Sequence, residues 1–239
     1  MAMAVVIITM GIPMPDCGAL STLRLWQLIS PTLPVGAYAY SAGLETAVEA
    51  GWLSDEAALL EWVSGQLEHG LAGLDLPILL RLREAWIGNH RSAVGIWTDR
   101  LLASRETAEL RAEDIHLGRA LMRLLGELGI DEAREFDRRD DVTLATGFAL
   151  AAARWDIDAP EAGRGYAWGW CENQVAAAVK LIPLGQTAGQ RVLMQATDSV
   201  INAVVSARHL ADEDIGATTP GVSLASGWHE TQYTRLFRS

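Results

Sequence analysis

The sequence predicts an all-α fold, and three observations lead to this expectation. Apolar residues recur at spacings of three and four along most of the chain, as at Leu117, Leu121, Leu124 and Leu128. No stretch alternates apolar and polar residues over the length of a strand. The 239 residues are 50% hydrophobic, which suffices for one sizeable core. We therefore expect a single helical-bundle-like domain of about ten helices.

The first elements are predicted from caps and breakers. A short helix is expected over Leu20–Ser30, with Ser21 or Thr22 as its cap. Prolines and a glycine then shape a loop, after which a helix resumes near Tyr38 and ends at Gly51.

The middle of the chain carries longer helical patterns. Ser54 is the expected cap of an amphipathic helix, and Asp75 and Pro77 open the next one, since proline is tolerated in a first turn. Ser104–Leu128 is the most regular segment. We expect its polar face to be mainly a solvated ion-pair surface. Its charged residues are Arg105, Glu109, Arg111, Glu113 and Arg123.

Two small-residue helices follow. Asp140–Arg154 is rich in alanine, and Pro160 opens a helix that contains Gly163, Gly165 and Gly169. Glycine destabilises a helix interior, so these glycines should allow close packing of the backbone.

Lys180 lies where this helix ends, before Pro183 and Gly185, and it is the only lysine in the sequence. Its neighbours are apolar, and an ammonium group buried among them needs a partner. We expect a buried ion pair, with Glu45 as the leading partner. The alternative is an exposed lysine whose stem covers a helix end.

Composition excludes several classes of function. A formal net charge of −11 argues against nucleic acid and anionic membrane surfaces as partners. The single lysine is followed by Leu181, so the chain lacks a Walker A loop. The five histidines show no i, i+4 pairing, and Cys17 and Cys171 form no CxxC pair, so no metal site is predicted.

Both ends of the chain differ from the middle. We expect residues 1–22 to be a disordered extension, residues 23–217 to form the helical domain, and residues 218–239 to form a mobile tail. Tyr233, Leu236 and Phe237 would share one face of a single helical turn. The predicted tail orders on partner binding, docks that face and adds contacts from Arg235. The alternative is that these residues cover the protein's own core and have only a structural role.

Four segments resemble the motifs of the UreF family of urease accessory proteins. They occur in the family's order and lie within the stretch from about Leu23 to the end of the chain. The segments are LWQLISPTLPVGAYAYSAGLETAVEAGW (Leu25–Trp52), SRETAELRAED (Ser104–Asp114), AVKLIPLGQTAGQ (Ala178–Gln190) and HETQYTRLFRS (His229–Ser239).

No stretch is long enough to span a membrane, so we expect a cytoplasmic protein. The resemblance implies an all-helical, dimeric, non-enzymatic chaperone for nickel insertion into urease. It implies partners as well: the accessory protein UreD (also called UreH), the GTPase UreG and the urease apoprotein. The partner GTPase would bind GTP and the complex would handle nickel, so no cofactor is expected on this chain. The motifs place the family's glutamate at Glu45 and its lysine at Lys180. Further candidates for partner contacts are Tyr40, Ser41, Gln186, Gln190, Tyr233, Arg235, Leu236 and Phe237.

An enzyme remains the alternative from a different class. An amine in an apolar pocket can form a Schiff base with a carbonyl substrate, and Lys180 would be that amine. Borohydride trapping of an adduct on Lys180 would distinguish this enzyme from an adaptor.

Overall fold

The computed structural model describes residues 17–136, 139 and 141–239, and no strand occurs among them. The all-α prediction is confirmed. The helices are α1 Cys17–Leu28, α2 Leu44–Glu49, α3 Glu56–Gln66, α4 Asp75–Ile87, α5 Arg91–Ala103, α6 Ala108–Glu127, α7 Asp131–Phe136, α8 Leu144–Arg154, α9 Ala159–Leu181, α10 Gln186–Gln195, α11 Thr197–His209 and α12 Pro220–His229. A π-helical turn at Leu67–Leu71 continues α3, and short 3₁₀ turns lie at Ala37–Ala39 and Asp212–Asp214. None of the helices in the described part is long and apolar enough to cross a membrane.

The core is built around α4, α8 and α9. Helix α4 is buried on most sides, and the Trp86 ring lies fully inside with its Nε1 donating to the main-chain oxygen of Thr146 on α8 at 3.1 Å. Helix α9 packs against α1, α2, α3, α4, α8, α10 and α11. It therefore connects the two ends of the chain to the core.

Two of the three α9 glycines, Gly163 and Gly165, allow close packing as predicted, whereas a Cβ atom at Gly169 would make only an ordinary contact at 3.8 Å. A Cβ atom at Gly165 would lie 2.5 Å from a Leu25 methyl group of α1, and one at Gly163 would lie 3.1 Å from Val204 of α11. Such distances leave no room for a larger residue.

Several predicted helix starts are wrong. Helix α1 begins at Cys17, so residues 17–22 are helical rather than disordered, while residues 1–16 lie outside the described residues. The Ser21 hydroxyl donates to Gly18 O within α1 instead of capping a helix. Helix α2 begins at Leu44, because Gly43 has a φ of 82° and interrupts the chain there. Asp55, not Ser54, caps α3 through its side chain.

The expectation of a tail without a helix, free of the core, is also wrong. Helix α12 covers Pro220–His229 and packs on α2, where a Cβ atom at Gly43 would lie 2.9 Å from Ser226 N. Its buried residues are mostly small, so the helix contacts α2 through its backbone. For the same reason its sequence shows no stripe of large apolar residues from which a helix could be predicted. Residues 230–239, here called the terminal segment, follow without helical structure.

Candidate functional site

The carboxylate of Glu45 lies beneath the terminal segment. Helix α2 carries this residue in its first turn, where it is buried. Its Oε1 accepts a hydrogen bond from Leu236 N at 2.7 Å, and its Oε2 accepts one from Phe237 N at 2.9 Å. A buried carboxylate needs hydrogen-bond donors, and these two main-chain N–H groups form charge-assisted hydrogen bonds with it. Glu45 thus holds the terminal segment against α2.

His229, at the end of α12, joins Glu45 to α6. Its ring is completely buried, with Nε2 at 3.3 Å from Glu45 Oε2 and Nδ1 at 2.6 Å from Glu109 Oε2. Glu109 Oε1 in turn accepts a hydrogen bond from Arg235 Nη1 at 2.7 Å. The ring thus lies between the two carboxylates, within hydrogen-bond distance of both. We call Glu45, Glu109, His229 and Arg235 the Glu45 cluster.

The last residues are held by the loop before α2. Ser239 O accepts hydrogen bonds from Ser41 Oγ at 2.5 Å and from Ser41 N at 3.0 Å. Ser239 Oγ donates to Glu113 Oε2 at 2.6 Å. Burial raises the pKa of Glu113 to about 7, although the hydrogen bond from Ser239 acts in the opposite direction. Tyr40 is buried as well, and its main-chain oxygen accepts from Asn173 Nδ2 of α9 at 3.0 Å.

Lys180 is exposed, and the predicted buried pair with Glu45 is wrong. Its Nζ lies 5.5 Å from the centroid of the Phe237 ring, while Glu45 is occupied by the terminal segment and His229. Ile182 takes the buried position at the end of α9. This position matches the alternative of an exposed lysine at a helix end. Lys180 is therefore exposed rather than set in the apolar pocket that motivated the Schiff-base alternative.

The two motif residues nevertheless contact the same residue. Phe237 is buried, with Glu45 bonded to its main-chain N–H and Lys180 over its ring. Gln186 and Gln190 are exposed on α10, and no hydrogen bond among the described residues joins them to the Glu45 cluster.

The predicted helical face of the terminal segment does not form. Phe237 is buried, whereas Tyr233 is fully exposed and Leu236 is 64% exposed. Arg235 and Arg238 are exposed on the same segment. We call Tyr233, Arg235, Leu236 and Arg238 the terminal face, a surface with apolar groups and positive charge on an acidic protein.

Sequence reasoning missed a second buried network. Arg105, which we expected in a solvated ion-pair surface, donates to Asp75 Oδ1 at 2.5 Å and to Asp114 Oδ2 at 2.7 Å. Asp114 Oδ1 accepts from Leu144 N at 2.8 Å, at the start of α8. Glu109 and Glu113 are also partly buried, so this expectation is wrong for three residues of α6 and its flank. The SRETAELRAED motif was a signal for this network, because it contains both Arg105 and Asp114.

A cavity of about 130 Å³ lies beside this network. Asp75, Arg105, Glu113 and Gln66 contribute to its lining, and Gln66 Nε2 is buried without a partner. A cavity of this size with several polar groups in its lining accommodates water molecules. Among the described residues, no group of three or more His, Cys, Asp or Glu side chains is placed to hold a metal ion.

Comparison with known proteins places these motifs in a family. The UreF family model matches residues 53–197, more than half of the chain. This chain belongs to the UreF family of urease accessory proteins. It is 54% identical over 220 residues to the urease accessory protein UreF of Alkalilimnicola ehrlichii, which covers 92% of this chain and 96% of the relative. UreF of Hahella chejuensis is 45% identical over 92% of this chain and 99% of its own length.

UreF 2 of Brucella anthropi is a further relative, 46% identical over 221 residues. Relatives of this kind are named accessory proteins rather than enzymes. The UreF motifs at Glu45, Ser104–Asp114 and His229–Ser239 meet at one place in the fold, since they supply the Glu45 cluster.

Proposed function

We propose that this UreF-family chain is a non-enzymatic adaptor in urease maturation. It binds the accessory protein UreD (also called UreH) and recruits the GTPase UreG, so that the complex inserts nickel, its cargo, into the urease apoprotein. The proposed form is a cytoplasmic homodimer. Hydrolysis of GTP falls to UreG, because the only lysine of this chain cannot belong to a Walker A loop.

The observation that carries this proposal is that the main chain of the terminal segment is hydrogen-bonded to Glu45. Glu45, which His229 contacts in turn, fixes the main chain of the segment from below, while Tyr233 and Leu236 remain exposed on its outer side. Large apolar side chains on a firmly held segment are typical of a preorganised protein contact. We propose that the terminal face is one of the partner surfaces.

Assembly with purified UreD and UreG from the same bacterium tests this proposal. The variant Tyr233→Ala/Leu236→Ala should lose the complex on size-exclusion chromatography and fail to support urease activation. The matched control is Trp26→Ala/Ile96→Ala, which removes one aromatic and one aliphatic side chain with exposures of 61% and 64% elsewhere on the surface. Equal assembly by both variants would contradict the role of the terminal face.

The proposed dimer has a separate test. Light scattering of the chain at micromolar concentration, alone and with UreD, should give twice the mass of one chain and two copies of each partner. A single copy under both conditions would rule out the dimer.

A further inference from the structure

A groove of about 640 Å³ lies between α3 and the start of α12. Much of its lining is apolar and comes from Trp52, Trp62, Pro220 and Val222. None of the residues of the Glu45 cluster lines the groove, so it is distinct from the site described above.

The aromatic rings at the groove are held in place. Trp62 Nε1 donates to Gln174 Oε1 at 3.4 Å, and Gly221 of α12 lies beside its ring. Trp52 is 40% exposed and packs at 5.4 Å between ring centroids on Trp228, which is 49% exposed. Exposed tryptophan faces attract cations more strongly than other aromatic side chains do.

The charge around the groove is mainly negative. The chain has 19 Lys and Arg residues, but residues 52–69 and 218–222, which contain the lining residues, include none and carry four carboxylates. Glu56 pairs with Arg191 of α10, and Glu68 accepts a hydrogen bond from Ser199 Oγ. Glu61 lines the groove, is exposed, and has no hydrogen-bond or ion-pair partner within the described part of the chain.

We propose that this groove binds a short segment of a partner protein that carries one arginine or lysine among apolar residues. The apolar residues lie on the groove lining, and the cation stacks on a tryptophan ring and pairs with Glu61. Its volume is in the range of pockets that enclose a small ligand, so only a few residues enter it. The inference does not depend on the proposed function.

A model peptide tests the groove directly. The full chain is produced with 5-fluorotryptophan, and each of its nine tryptophan signals is assigned by a Trp→Phe variant. The probe is acetyl-Ala-Leu-Arg-Leu-Ala-amide, and its control has citrulline, which is neutral, in place of arginine. On titration, ¹⁹F shifts should move at Trp52 and Trp62, and the arginine peptide should bind about tenfold more tightly.

Two variants decide whether the charge is responsible. Glu61→Gln should abolish most of the preference for arginine, whereas Glu127→Gln, at an exposed position of α6, should leave it unchanged. Equal affinity for the two peptides would overturn the proposal. So would shifts at Trp26 instead of Trp52, or the absence of any shift at millimolar peptide. A homodimer that dissociates as the peptide is titrated would point to a second copy of the chain as occupant and would also overturn it.

Discussion

Glu45 Oε2 and the main-chain N–H of Phe237 are joined by a hydrogen bond of 2.9 Å across 192 residues of sequence. The bond connects the first turn of α2 to the terminal segment. A buried carboxylate that binds two successive N–H groups fixes the direction of the chain there. Glu45 therefore determines where Tyr233 and Leu236 are presented, although its own side chain does not reach the surface.

Replacement of this carboxylate should destabilise the protein. In Glu45→Gln the amide oxygen can replace only one acceptor, and a buried donor of Phe237 or His229 is left without a partner. We expect a loss of about 2–4 kcal/mol in the free energy of unfolding, measured in urea. Glu49→Gln, at an exposed position of the same helix, should change it by less than about 0.5 kcal/mol. Similar losses in both variants would contradict the role of Glu45.

The terminal segment should contribute to the stability of the isolated chain. Phe237 is 5% exposed, so Phe237→Ala should cost about 3–5 kcal/mol through lost burial and the cavity left behind. Tyr233→Ala removes a fully exposed ring of the same segment and should cost less than about 0.5 kcal/mol. Thermal and urea unfolding of the two variants measure the difference. A Phe237→Ala protein as stable as wild type would restore the expectation of a free tail.

Lys180 should contribute little to stability. Lys180→Met keeps the stem of the side chain and removes an exposed cation–π contact, which is worth about 0.5–1 kcal/mol. Arg24→Met is the matched control, because the Arg24 guanidinium lies 5.4 Å from the Trp155 ring. The two variants should unfold at similar urea concentrations. A loss of several kcal/mol in Lys180→Met alone would indicate a buried pair after all.

Glu113 should make stability depend on pH. Its folded pKa of about 7 lies above the unfolded value of 4.5, because burial disfavours the charged form. Between these values the folded state binds more protons, so stability falls as pH rises through this window. Because the side chain is only partly buried, we expect a fall of about 2 kcal/mol in wild type relative to Glu113→Gln. Urea unfolding at several pH values between these limits and above measures it. Parallel pH profiles for the two proteins would contradict this assignment.

The helices with local signals were predictable. Asp75 and Pro77 mark the start of α4, and Pro160 lies in the first turn of α9. These starts could be predicted because proline is favoured in a first turn whatever the rest of the fold. Helix α12 was missed because its glycine, serine and alanine residues give no apolar period. Its packing depends on the close approach of Gly43, which only the folded structure shows.

The site was predictable only in part. The resemblance to the UreF motifs singled out Glu45, but its contacts in the fold lie 184 to 192 residues away in the sequence, beyond any periodicity. The burial of individual side chains was even harder to predict from the sequence. Lys180 has apolar neighbours in sequence yet is exposed, whereas Arg105 belongs to a charged segment yet is part-buried with two carboxylates. Which face of a helix is covered depends on partners that the local sequence does not specify.

The single lysine gives the protein a built-in chemical handle. An amine-reactive fluorophore has one side chain to modify, Lys180, whose Nζ lies over the Phe237 ring. The emission of a dye there would report on whether the terminal segment stays in place, without any engineered cysteine. The other basic side chains are arginines, which an amine-reactive dye does not modify. Release of the terminal segment during complex assembly could therefore be followed in real time through the dye on Lys180.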